Sequence, residues 1–255
     1  MQVRFLVLAL ALAMPLVGWL SNTGVFGPTN GEISDRYPTL IVAAGYAFSI
    51  WGPIFLLDVV FGIAQARVRQ AGTRLQRIRL LTAAGFALTS LWMVVFSLQW
   101  FWLALAIIWG SLVCLLGAAW LASHTQGHRR GPWWQWLPLS LHAGWVSLAV
   151  FLNLAQVVVA FQLLSTERML PWTLVLFALA GVLLLGAVVK LRGNPWYALA
   201  AIWGLLGVHA RQQASALPGA DTAASVAMAL AVVVAVTALA AGLLHRRAVR
   251  TPRAG

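Results

Sequence analysis

Five polar side chains stand inside long apolar stretches of this sequence: Asp58, His142, Asn153, Gln156 and His209. Polar groups in hydrocarbon are costly, so each one calls for a partner or a task. Asp58 and His142 form the acid–base combination among them, and a paired carboxyl and imidazole can hold and pass a proton. At 100° per residue, Phe48, Trp51, Phe55 and Asp58 fall within about an 80° arc of one helix, and His142, Trp145, Ala149, Asn153 and Gln156 within about an 80° arc of another. Asp58 lies about seven residues, or roughly 10 Å, from one end of its helix, and His142 lies at a comparable depth of roughly 7–8 Å. The two can therefore meet at one level. A proton-handling pair and a polar tie between two helices satisfy this geometry equally. His209, near the end of its segment, reads as a side chain reaching for the interface.

Each of the two stripes mixes aromatic rings with polar groups, which suits a cavity or a helix neighbour better than lipid. Trp51, Trp92, Trp109, Trp145 and Trp203 sit deep in their segments. Flat rings at such depths suit either a flat apolar ligand or helix packing. Trp100, Trp102 and Trp172 at one interface, and Trp133, Trp134, Trp136 and Trp196 at the other, read as membrane belts.

The elements that must position these residues follow from composition. Hydrophobic residues make up 62% of the 255 residues and charged residues only 9%, too few charges to cover a soluble fold. The chain therefore reads as an all-α integral membrane protein. Eight segments approach the roughly 20 apolar residues of a bilayer span: 4–22, 41–65, 80–98, 102–122, 137–163, 170–189, 196–212 and 223–244. Between them lie turn-forming or basic breaks, among them 27–31, the Arg-rich 67–79 and 192–195. The stretch after Arg4 has some features of a secretion signal, but its apolar core before Ala11-Leu12-Ala13 is short, and it reads as an uncleaved first span.

A net charge of +12 would suit nucleic acid, but the placement of the charges excludes that partner. With eight spans and both termini cytoplasmic, 14 of the 17 basic residues fall on the cytoplasmic side, leaving Arg36, Arg168 and Arg211 outside. That asymmetry over short loops is the positive-inside pattern of a multi-pass membrane protein, with the arginines facing anionic headgroups; the expected location is the bacterial cytoplasmic (inner) membrane. Cys114 is the single cysteine, so multi-cysteine metal sites are excluded. No phosphate-binding loop of the nucleotide-hydrolysing kind occurs.

Three stretches resemble the translocator-protein (TspO/MBR) family of tryptophan-rich sensory proteins. Residues 145–153 match its W-x-x-x-A-x-x-L-N pattern with Trp145, Ala149, Leu152 and Asn153. Residues 46–55, with Phe48, Trp51 and Phe55, are similar to the aromatic start of its second helix, and Trp92 with Phe96 is similar to its W-x-x-x-F. The chain departs from compact members at Ala43-Ala44, where they carry Pro-Pro, at Thr89, where Asn is common, and at Leu141-His142, where they carry Pro-Tyr. The resemblance covers residues 1–165 as a five-helix core. Residues 166–255 add three helices and a basic cytoplasmic tail, as in a longer, eight-span subgroup.

What the resemblance implies is a pocket for a tetrapyrrole (porphyrin or haem) or a sterol-like molecule. Phe48, Trp51, Phe55, Trp92, His142, Trp145, Ala149 and Asn153 are its candidate residues. It also implies a binding, sensory or transport role with no catalytic residue or required cofactor, and a homodimer. Some members are linked to tryptophan-dependent porphyrin breakdown, which leaves an enzymatic reading open. The competing expectations are a proton-coupled small-solute transporter using Asp58 and His142, and a scaffold that docks a partner through its last three helices.

Overall fold

The computed structural model describes residues 3–124 and 131–250. Arg129, Arg130 and Arg253, assigned above to the cytoplasmic side, lie outside them. The described residues form nine α-helices and a 3-10 turn: α1 (Val3–Asn22), α2 (Asn30–Arg36), the turn (Gly45–Ile50), α3 (Trp51–Arg67), α4 (Thr73–Ser97), α5 (Phe101–Ser123), α6 (Trp133–Ala160), α7 (Leu170–Lys190), α8 (Pro195–Gln213) and α9 (Ala220–Arg250). Seven are long and apolar enough to cross a membrane: α1, the turn with α3, α4, α5, α6, α7 and α9. α8, the eighth expected span, falls short by hydropathy because its last turns carry His209, Arg211, Gln212 and Gln213.

The architecture is organised around α6, which packs against α3, α5, α7 and α8. α1 packs on α3 and α4, α4 on α5, and α9 on α7 and α8. α6 has almost no lipid-facing surface; Leu139 to Leu152 is buried without a break. That enclosure is why one helix can carry Ser140, His142, Ser147, Asn153 and Gln156 at bilayer depth. Close approach to α8 depends on Gly144, where a Cβ would stand 2.4 Å from the Tyr197 carbonyl oxygen. Asn194 then ties the bundle. Its Oδ1 accepts from the Trp196 and Tyr197 amides and caps α8 ahead of Pro195. Its Nδ2 donates to Ser140 and Ser123 on α6 and α5 at 2.8 and 3.3 Å.

Several expectations change. The Arg-rich stretch 67–79 is not all loop, since α4 begins at Thr73 and takes in Arg74, Arg77 and Arg79. Arg79 does not face headgroups. It is 2% exposed and donates to Gln65 Oε1, the Gln65 carbonyl and the Val68 carbonyl at 2.8, 2.6 and 2.7 Å, closing the C-terminus of α3. Arg74 likewise donates to the Leu121 carbonyl near the end of α5. His209, near the end of α8, ties it to the start of α9: its Nδ1–H donates to the Ala224 carbonyl at 2.9 Å.

α2 lies in the connection between α1 and α3, where no helix was expected. Its signal is the Thr29-x-x-Glu32 spacing. Thr29 accepts from the Glu32 amide, and Glu32 accepts from the Thr29 amide at 2.7 Å, which completes a capping box. Those bonds hold the Glu32 carboxyl below its ordinary value. A depressed carboxyl stabilises the fold above its unfolded value of about 4.3 and loses that contribution as pH falls through its folded value. The protection factors of the Gly31–Ile33 amides, measured against their intrinsic exchange rates, are therefore expected to fall on acidification below about pH 4.3. Glu32→Gln, which keeps the reciprocal bond, should abolish that pH dependence, and an unchanged profile in the variant would refute the assignment.

Candidate functional site

Two linked features occupy the centre of the bundle. The first is an aromatic-walled pocket under the connection between α1 and α3. Phe48, Trp51, Trp92, Phe96 and Trp145 form its walls; Asn30 and Ser34 on α2 and Val42 lie on its cover side; Ala149, Leu152, Asn153 and Gln156 line it from α6. Its free space is about 20 Å³, room for about one water molecule. The rings brace one another. Trp51 meets Trp145 edge-on at 6.1 Å, Phe48 meets Trp145 edge-on at 5.9 Å, and Trp92 stacks on Phe96 at 5.2 Å.

The pocket's polar atoms are unevenly satisfied. The Trp92 indole N–H donates to Asn153 Oδ1 at 2.9 Å, and Asn153 Nδ2 returns to the Ala149 carbonyl at 3.2 Å. Gln156 reaches Ser34 Oγ at 3.4 Å. The buried indole nitrogens of Trp51 and Trp145 and the buried Oδ1 of Asn30 have no hydrogen-bond partner among the described residues. An unpaired buried donor costs roughly 1–3 kcal/mol, so residues that line this pocket carry two unmet donors and an unmet acceptor.

The second feature lies deeper, behind Trp51. The structure brings Asp58 and His142 together: His142 Nδ1 and Asp58 Oδ2 share a hydrogen bond at 2.8 Å, and both side chains are fully buried. Nε2 of His142 faces Thr89 Oγ1 at 3.4 Å. Thr89 meets Ser111 Oγ at 2.8 Å, and Ser111 donates to the Gly85 carbonyl at 3.2 Å. The line crosses α3, α6, α4 and α5. The imidazole is held between Phe86, stacked at 5.9 Å, and the edge-on Trp51 ring at 5.7 Å. An acid, an imidazole and a hydroxyl in sequence also describe a nucleophilic triad, but Thr89 is sealed in the core and lies outside the pocket lining. What the arrangement can do is hold a proton and orient the ring behind Trp51.

Of the eight residues expected to bind ligand, Phe48, Trp51, Trp92, Trp145, Ala149 and Asn153 line the pocket. Phe55 and His142 do not. Phe55 stacks behind Trp51 at 5.3 Å and packs toward Gly18 of α1. Phe48 sits in the 3-10 turn rather than on α3, so helical phase alone does not place it. Phe96, Leu152 and Gln156 line the pocket beside the expected residues, and Asn30, Ser34 and Val42 join them from the short α2 and the irregular segment after it, where the chain offers too little periodicity to read. Among the described residues no three His, Cys, Asp or Glu side chains gather as a metal site.

A bundle of this composition, with its polar groups turned inward on an enclosed helix, defines a multi-pass helical membrane protein that lives in a lipid bilayer. A family model described as TSPO-like protein matches residues 4–240. The chain belongs to that family, and the match runs past residue 165 through α7 and α8 and most of α9. No curated protein matches the chain, and neither does any solved structure.

Proposed function

We propose that the protein is a membrane-embedded binding or sensory protein for a flat, largely apolar ligand, of which a tetrapyrrole is the first candidate. The pocket beneath α2 is its site. The observation that carries this reading is the pair of buried, unpartnered indole N–H groups of Trp51 and Trp145 in an aromatic wall. A ligand with acceptor atoms at its edge satisfies both donors while its faces stack on the rings. The site's closed state means that binding requires the cover or the rings to move. The basic ends of α1, α3, α4, α7 and α9 supply the polarity. With them cytoplasmic, in a bacterial inner membrane, the cover and the pocket mouth face outward.

Titration of the detergent-purified protein with protoporphyrin IX and with haemin, followed by tryptophan quenching and the Soret band, tests the proposal. Saturable quenching in the micromolar range is expected, with affinity about tenfold weaker in Trp51→Phe and in Trp145→Phe, the usual effect of one lost hydrogen bond. Quenching that does not saturate, or an affinity that both variants share with the wild type, overturns it.

A second reading rests on a separate observation, the sealed Asp58–His142 contact and its hydroxyl line. It makes the protein a proton-coupled transporter of a small solute. Uptake into proteoliposomes that follows an imposed pH gradient and is lost in Asp58→Asn would favour it; gradient-independent uptake would exclude it.

A further inference from the structure

The pocket's cover is residues 30–48, and much of it is not helical. Residues 37–44 run without regular structure yet Thr39 to Ala43 are buried. Backbone polar groups buried in such a segment must find partners outside it. They find them on one face of α8. The Ala44 amide donates to the Gly207 carbonyl at 2.9 Å. The Trp203 indole N–H donates to the Ala47 carbonyl at 2.8 Å. Gln212 Nε2 donates to the Thr39 and Val42 carbonyls at 3.1 and 3.3 Å. Beside them Arg211 pairs with Asp35 of α2 at 2.6 Å.

Trp203, Gly207 and Arg211 are spaced by four, so α8 presents them as one stripe. Gly207 is what lets the segment lie this close: a Cβ there would come 2.6 Å from the Ala47 Cβ and 3.3 Å from the Ala43 Cβ. The adjoining face of the same helix backs the pocket wall, since a Cβ at Gly204 would meet Leu148 and the Trp145 ring. By comparison, the opposite flank of the cover is held by side chains that share one acceptor: Arg36 and Tyr37 both donate to Gln99 Oε1, at 3.2 and 3.5 Å.

We infer that α8 is the latch of the pocket. It positions the cover through Trp203, Gly207, Arg211 and Gln212, and so sets how often the pocket opens to its ligand. The inference rests on the pocket being the functional site, but its test does not need the ligand.

Ala149 faces the pocket. Ala149→Cys in a Cys114→Ser background gives a single thiol whose reaction with a small charged methanethiosulfonate reports opening. The experiment uses the full chain in detergent and in proteoliposomes. Gly207→Ala is expected to speed labelling about tenfold, and Trp203→Phe, which removes one hydrogen bond and keeps an aromatic ring in place, by several-fold, roughly the range set by one lost bond. Arg211→Ala, an exposed ion pair, should add no more than about fivefold. Gly186→Ala on α7, where a Cβ would meet nothing within 4 Å, should leave the rate unchanged.

Rates for all three α8 variants within about twofold of the Gly186→Ala control would overturn the latch, because each change removes a named tie. Helix content and a monodisperse elution profile identify any variant that has merely lost its fold, and Trp203→Phe and Arg211→Ala, both at partly exposed positions, keep the test intact if Gly207→Ala does. Porphyrin titration of the same proteins separates the two readings. Faster labelling supports the latch whether or not porphyrin quenching saturates, and unchanged labelling removes it even where quenching saturates.

Discussion

His142→Leu is expected to destabilise the protein by about 3–5 kcal/mol, the usual result of removing one partner from a buried ionisable pair. The physical reason lies in Asp58. Its Oδ1 already has no partner and its Oδ2 is paired with the imidazole, so the substitution leaves a fully buried carboxyl with no hydrogen bond at all. It also removes the ring stacked on Phe86 and frees the hydroxyl line at Thr89. Replacing both residues, as Asp58→Leu with His142→Leu, removes the unmet polar groups together and should recover at least half of the loss. Unfolding in mixed detergent micelles measures each corner of the cycle. Additivity to within about 0.5 kcal/mol would show that the two side chains are not coupled, and the contact would then have no energetic meaning. Asp58→Asn separates structure from proton handling. It keeps a polar partner for the ring while removing the titratable group, so stability should fall little, whereas any pH dependence of transport should disappear.

Arg79→Met is the second large effect, expected at about 3 kcal/mol or more. The guanidinium supplies three donors to Gln65 and Val68, and Gln65 in turn donates to the Arg4 and Gly62 carbonyls at 2.7 and 2.8 Å. The side chain thus closes the end of α3 and, through Gln65, fastens the start of α1 to it. Methionine fills similar volume and leaves three acceptors unpaired where water has little access. Lysine cannot span the same fork and should recover only part of the loss. Thermal unfolding of the two variants in one detergent distinguishes this account from a headgroup role. A headgroup arginine would tolerate both substitutions and show its effect only in vesicles containing anionic lipid.

The sequence was legible where periodicity and cost were high. Helical phase brought Asp58 to one face of α3 and the His142-to-Gln156 stripe to one face of α6, because a buried helix forces its polar residues onto protein-facing positions. Depth counting put Asp58 and His142 at one level, which is a matter of 1.5 Å per residue. What could not be read was anything made by irregular backbone. Val42 reaches the pocket from a segment whose path depends on α8, more than 150 residues away in the chain, whereas Phe48 was expected there but by a helical phase its 3-10 turn does not follow. Arg79 looked like its neighbours Arg74 and Arg77, and composition does not distinguish a helix-closing guanidinium from one in headgroups. The departures from compact relatives were themselves informative. Thr89 and His142 belong to the hydroxyl line, and Ala44 carries the amide that a proline at that place would lack, the one bonded to Gly207. Of the three helices added to the five-helix core, α8 touches both the cover and Trp145.

The burial of α6 also bears on how the protein is made. A span that meets lipid along one side can wait in the bilayer for its neighbours, but α6 is enclosed by α3, α5 and α8 and exposes polar groups along most of its length until they close on it. α8 leaves the ribosome only after α7 has been completed. A nascent chain that has emerged through residue 190 therefore holds α6, with its buried polar side chains, without its last protein wall. During that interval the half-made protein is the natural substrate of membrane insertases that shelter polar spans and of proteases that remove stalled ones, and truncations ending before Pro195 should be cleared from the membrane rather than accumulate.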